Sequence, residues 1–103
     1  VEPNTSWVDG GAAASLAQNQ PNPARAGTTI RFVLAFPEEA TLEIFDVSGR
    51  RVATLVRGVL EQGPHQVTWD LTSDDGERVA SGVYFYRLEA ADERLTRKLI
   101  IAR

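Results

Sequence analysis

The 103 residues contain no cysteine and no methionine, and only one histidine and one lysine. Without cysteine there are no disulfides, no thiolate nucleophile and no zinc–thiolate site, and either redox compartment stays open. Without methionine Val1 is not a translation start, so the sequence reads as a piece of a longer protein. No apolar run approaches the ~18 residues of a membrane span, and no secretory h-region is present. Any export signal would lie upstream. A net charge of -3 offers no basic face for nucleic acid.

What is present is ordinary for a globular chain. Hydrophobic residues make up 43% and charged residues 24%, a balance that argues against disorder. A chain of this length forms one domain and buries roughly 60–65% of its unfolded surface.

Residues 1–15 are mostly small apart from Trp7 and Val8, and read as a linker from an upstream domain. A short helix over Ala12 to Ala17 is the competing assignment. Residues 16–103 read as the folded domain. Gln20-Pro21-Asn22-Pro23 interrupts regular structure, because proline fixes φ and lacks a donor. From there the period is two. Ile30, Phe32, Leu34 and Phe36 form one apolar face, and Leu42 and Ile44 another. Gly49 turns the chain into a strand from Arg51 to Val56. His65 to Trp69, a brief piece at Arg78 to Ala80, Val83 to Ala90 and Leu95 to Ala102 follow. No helical period of ten residues occurs. About seven short strands separated by Gly and Pro turns predict an all-β fold: a single antiparallel β-sandwich.

Candidate chemistry is sparse. His65 shares a strand face with Val67 and Trp69, and no serine lies in a nucleophile-elbow context, so it reads as a half-buried strand histidine. Asp70, Asp74, Asp75 and Glu77 form the one acidic cluster. An EF-hand register would put Leu71 and Gly82 where carboxylates are required, so the cluster reads first as a turn, with a looser calcium loop as the weaker alternative. Tyr84, Tyr86 and Leu88 share a face and read as core, while a sugar-stacking platform would need them exposed. These residues predict no enzyme, no cofactor and no metal. Arg94, Arg97, Lys98 and Arg103 make the last strand locally basic. Such charges protect a sheet edge, or form a positive patch for an anionic partner or surface lipid.

Several segments together resemble a known family. Leu16 to Pro23 followed by Thr28 to Phe32 resembles the opening of the type A C-terminal sorting domain of the type IX secretion system. Phe45 to Val52, His65 to Asp70, Ala80 to Leu88 and the closing Lys98 to Arg103 continue the likeness. The same motifs resemble the immunoglobulin-like domain of the flagellar hook-capping protein family. Gln20 and Ala24 depart from that pattern, which usually has aromatic residues there.

The resemblance implies a secretion signal fused to an upstream cargo protein and recognised by the outer-membrane machinery of Bacteroidetes-like bacteria. A surface sorting protease would then cut the linker, at Asp9, Gly10, Gly11, Ala12, Ala13, Ala14 and Ser15. Pro21, Asn22, Pro23, Gly82, Tyr84, Lys98 and Arg103 are the residues such a system would read. The expected state is an exported, cell-surface or extracellular monomer. The alternatives are a carbohydrate-binding or surface-anchoring module of an extracellular enzyme, and a structural hook-cap-like domain.

Overall fold

The computed structural model describes residues 14–103. Seven strands form two antiparallel sheets: β1 (Ala14–Leu16), β2 (Thr28–Leu34), β3 (Glu38–Phe45), β4 (Arg51–Leu60), β5 (Gly63–Trp69), β6 (Gly82–Ala90) and β7 (Glu93–Ile101). The three-stranded sheet has the order β1-β2-β5 and the four-stranded sheet the order β4-β3-β6-β7. This is the antiparallel sandwich that the alternation predicts, immunoglobulin-like as the family resemblance implies.

The core follows from that alternation. Ile30, Phe32 and Leu34 face Leu42, Ile44, Tyr86, Leu88, Leu99 and Ile101, all fully buried. Each such side chain contributes roughly 1.5–3 kcal/mol when removed from water. Trp69 packs edge-on against Tyr84 and donates its indole N–H to the Thr72 carbonyl at 2.8 Å. Leu71 is buried with a φ of 65°, a left-handed conformation that a branched residue adopts only when its surroundings enforce it.

Three expectations move. The seventh strand is not Arg78 to Ala80, which forms only an isolated bridge between Thr72 and Arg78. It is β1, where Ala14, Ser15 and Leu16 pair with Leu34, Val33 and Phe32. Ala14 and Ser15 therefore belong to the sheet, and the helix considered for this stretch does not form over Ala14–Leu16. Three residues carry too little periodicity to announce a strand; their pairing with β2 decides it. The rest of the expected linker, Asp9 to Ala13, lies outside the described residues. Phe36, expected on the apolar face of β2, is 47% exposed because the strand stops at Leu34 and the chain turns away.

The strand registers give the sandwich two distinct ends. Ala14, Leu34, Gly63, Leu60 and the Ala91-Asp92 turn gather at one end. The Pro21–Ala24 segment, the Asp46–Arg50 turn, Gly82 and Arg103 gather at the other.

Candidate functional site

The terminal strand β7 is an edge strand, and an edge exposes a row of unpaired backbone groups. In an antiparallel ladder alternate residues turn their N–H and C=O away from the neighbouring strand. On β7 those outward groups are met by a strap formed from residues 17–24. The Gln18 side-chain amide donates to the Lys98 carbonyl at 2.8 Å. The side-chain oxygen of Asn22 accepts the Ile100 N–H at 3.0 Å. Ala24 donates its N–H to the Ile100 carbonyl at 2.7 Å and accepts the Ala102 N–H at 2.9 Å, forming a parallel bridge to Ile101.

The capping is reciprocal. The outward N–H of Ala14 on β1 donates to the Glu93 carboxylate at 2.9 Å, and Arg97 donates to the Leu16 carbonyl at 2.6 Å. The first and last strands thus close one side of the sandwich largely by side-chain-to-backbone bonds.

Beneath the strap, Asn19 is 1% exposed. Its N–H donates to the Tyr86 hydroxyl at 2.8 Å, and that hydroxyl donates to the Ala17 carbonyl at 2.7 Å. The Asn19 side-chain amide reaches the Pro21 carbonyl and the Thr28 hydroxyl, so the strap is fixed from inside. Burial pushes the Tyr86 phenol above its ordinary value, partly offset by the Asn19 N–H and by Arg97.

The residues expected to be read by a secretion system sit around this strand. Pro21, Asn22 and Pro23 form the strap's exposed tip, with both X-Pro bonds cis. Gly82 opens β6 opposite Ile101 with a φ of 148°, a conformation that side chains rarely adopt. Tyr84 is paired with Leu99 and buried, and its hydroxyl donates to the Ala80 carbonyl four residues upstream at 2.7 Å. That bond resembles the tyrosine corner of immunoglobulin-like sandwiches. Lys98 is exposed beside the strap. Arg103 receives no carboxylate among the described residues; its N–H donates to the Ser81 hydroxyl and its guanidinium to the Leu71 carbonyl.

The other candidates serve the fold. His65 stacks on Phe32 at 5.2 Å between ring centroids, with its Nε2 2.7 Å from the Glu61 carbonyl. Asp70 holds Thr72, whose hydroxyl keeps the carboxyl below its ordinary value. Asp74 accepts the Thr54 N–H at 3.0 Å while its own N–H donates to Val52, which covers the outward edge of β4. Asp75 and Glu77 are exposed. Among the described residues no group of three carboxylates or imidazoles converges as a metal site would require.

One arrangement escapes the alternation rule. Glu43 lies on the outer face of β3, yet it is 8% exposed. Arg51, Arg87 and Arg57 surround its carboxylate at 3.3, 3.8 and 4.0 Å, and the Arg87 guanidinium lies 4.4 Å over the Phe45 ring. Only the cross-strand registers bring these side chains together, so no sequence spacing announces them.

Residues 18–94 match the FlgD Ig-like domain family. No curated protein is detectably similar. Among solved structures, dimeric latent PorU from Porphyromonas gingivalis is 26% identical with a TM-score of 0.70, over 85% of this chain and 9% of that one. PorZ, described as an essential bacterial surface component of the type IX secretion system of the same organism, is 26% identical with a TM-score of 0.62, over 99% of this chain and 13% of that one. The chain therefore spans a small fraction of both relatives. The match covers most of the sandwich, from the strap to the start of β7, and the chain belongs to the FlgD Ig-like domain family.

Proposed function

We propose that this domain is a C-terminal sorting signal, directing an upstream cargo protein through a type IX secretion system to the cell surface or exterior. The observation that carries the reading is a convergence. Pro21-Asn22-Pro23, Gly82, Tyr84 and Lys98 to Arg103 are far apart in sequence and meet along one strand and its strap. The likeness to PorZ, a surface component of that system, supports the same reading.

The test is a fluorescent reporter followed by residues 1–103, expressed in a type IX-competent bacterium. The expected result is reporter at the cell surface or in the medium, dependent on the secretion machinery. Periplasmic retention of a fusion with a folded domain would refute the sorting role.

A structural assembly role is the second reading, favoured by the family match to a hook-capping domain. It predicts self-association of the purified chain, which sedimentation velocity measures. A glycan-binding role finds less support, because Trp69, Tyr84 and Tyr86 are in the core and not on a flat exposed face.

A further inference from the structure

The sandwich is one strand short along one side. Bonds from Ala14 to Glu93 and from Arg97 to Leu16 set β1 against β7. The opposite side is then formed by β4 and β5, and three strands face four. Burial records the shortfall. Leu42 and Ile44 on β3 are fully buried, whereas Val56 and Leu60 on the adjoining inner face of β4, and Val67 on β5, are only half-buried. The loop after β5 covers the start of β4, where Asp74 accepts the Thr54 N–H and donates its own to the Val52 carbonyl. Beyond Thr54 no hydrogen bond from the described residues caps that side.

The backbone of β5 is open along the same side. Thr29 exchanges both its bonds with Gln20, and the Arg31 carbonyl accepts from Ala17, so these β2 groups point away from β5. The β2–β5 ladder therefore runs through Ile30 and Phe32, which oppose Val67 and His65. It leaves the N–H and C=O of Gln66 and Thr68, and the C=O of Pro64, directed outward. Among the described residues no hydrogen bond reaches them. Edge strands are ordinarily protected by caps or charge. β7 has the strap and Lys98, β1 has Glu93 and Arg97, and β4 has Asp74, Arg51 and Arg57. Gly63–Trp69 has neither a cap nor one Asp, Glu, Lys or Arg.

We propose that β5 accepts an extended segment of a partner protein as a fourth strand of its sheet. The unpaired backbone row requires an extended occupant, since only a strand offers donors and acceptors at that spacing. The half-buried Val56, Leu60 and Val67 require apolar side chains at alternate positions of it, where the added strand lies over β4. A second copy of this chain fits less well. The seven-residue edge is about 23 Å long and roughly 10 Å deep, far short of the ~800 Å² that each partner of a stable complex buries. Two copies paired about Gln66 would also set Pro64, which has no N–H, against the Thr68 carbonyl of the other copy. The inference stands on the fold and goes beyond the sorting reading without depending on it.

The test uses the 103-residue chain and a capped probe peptide, acetyl-Lys-Val-Thr-Val-Thr-Val-Lys-amide. The control is the same peptide N-methylated at its five central residues, which removes the backbone donors and keeps the side chains. Amide hydrogen exchange should slow at Gln66 and Thr68 as the probe saturates, and the methylated peptide should bind about tenfold more weakly. Gln66→Pro removes one outward N–H and leaves the ladder to β2 intact, so it should also weaken binding about tenfold. Should that variant lose its fold, exchange in the parent and the methylated control decide alone. No protection at Gln66 and Thr68 up to millimolar probe, equal binding of the methylated peptide, or protection confined to β4 or β7 would overturn the proposal. Self-association of the parent that Gln66→Pro abolishes would overturn it in favour of a second copy.

Discussion

The side-chain oxygen of Asn22 accepts the backbone N–H of Ile100 at 3.0 Å, tying a turn near the start of the domain to the edge of its last strand. Asn22→Ala removes that acceptor and exposes the N–H to water, since the strap's tip is solvent-accessible. The expected loss is about 1 kcal/mol, read as a lower urea midpoint with an unchanged m-value.

Tyr86→Phe deletes a hydroxyl that satisfies two backbone groups, the Ala17 carbonyl and the Asn19 N–H. The Tyr86 side chain and Asn19 are both buried, so their desolvation is not recovered. A loss of about 2–4 kcal/mol is expected. Tyr84→Phe removes one bond, to Ala80 in an exposed loop, and should lose about 1 kcal/mol. Equal losses in the two variants would contradict the role given to the strap.

Glu43→Gln leaves Arg51, Arg57 and Arg87 facing one another without their shared carboxylate. Destabilisation of about 1–2 kcal/mol is expected at low ionic strength. Added salt should reduce the difference, because it screens the remaining repulsion. A salt-independent loss would point to packing instead.

Acid titration should show two opposing contributions. Burial, then the neighbouring Glu93 and Asp92, raise Glu38 above its ordinary value of 4.5. Its folded state binds the proton more tightly than the unfolded chain, so its charged form detracts from stability above the raised value. That deficit fades as pH falls to the ordinary value. Asp46 and Asp70 have the opposite sign. The Ser48 and Thr72 hydroxyls hold them below 3.8, so their stabilisation is complete above that value and lost as pH falls through the folded one. Glu38→Gln should raise the thermal midpoint at pH 7 and match the parent near pH 4. Asp46→Asn should lower the midpoint at pH 7 and lose its effect at strongly acid pH.

Much of the sandwich was legible because its core strands alternate cleanly. Ile30, Phe32, Leu34, Leu42, Ile44, Tyr84, Tyr86 and Leu88 announce their buried faces by period alone. β1 was not legible, since three residues have no measurable period and their strand exists through partners in β2. The candidate site was half legible. Pro21 to Pro23 and Lys98 to Arg103 stand out as motifs, but the bond joining Asn22 to Ile100 spans most of the chain. Asn19 gave only a faint signal, an amide beside a Pro-rich turn, whose burial depends on Tyr86 from another sheet. Glu43 gave none, because the alternation places it on the solvent side and only three arginines from neighbouring strands cover it.

The parallel run of strap and β7 has a mechanical consequence. Residues 14–24 and β7 travel in the same direction, so tension applied between Ala14 and Arg103 pulls the two along each other in opposite senses. The bonds from Gln18, Asn22 and Ala24 then bear the load together in shear, whereas a hairpin pulled at its open end unzips bond by bond. A domain drawn by one end with a heavy load on the other would hold its fold until this clasp slips. Forced unfolding is governed by the unfolding rate, so weakening the clasp should lower the rupture force more than it lowers equilibrium stability. Single-molecule pulling of Asn22→Ala beside the parent chain measures that difference.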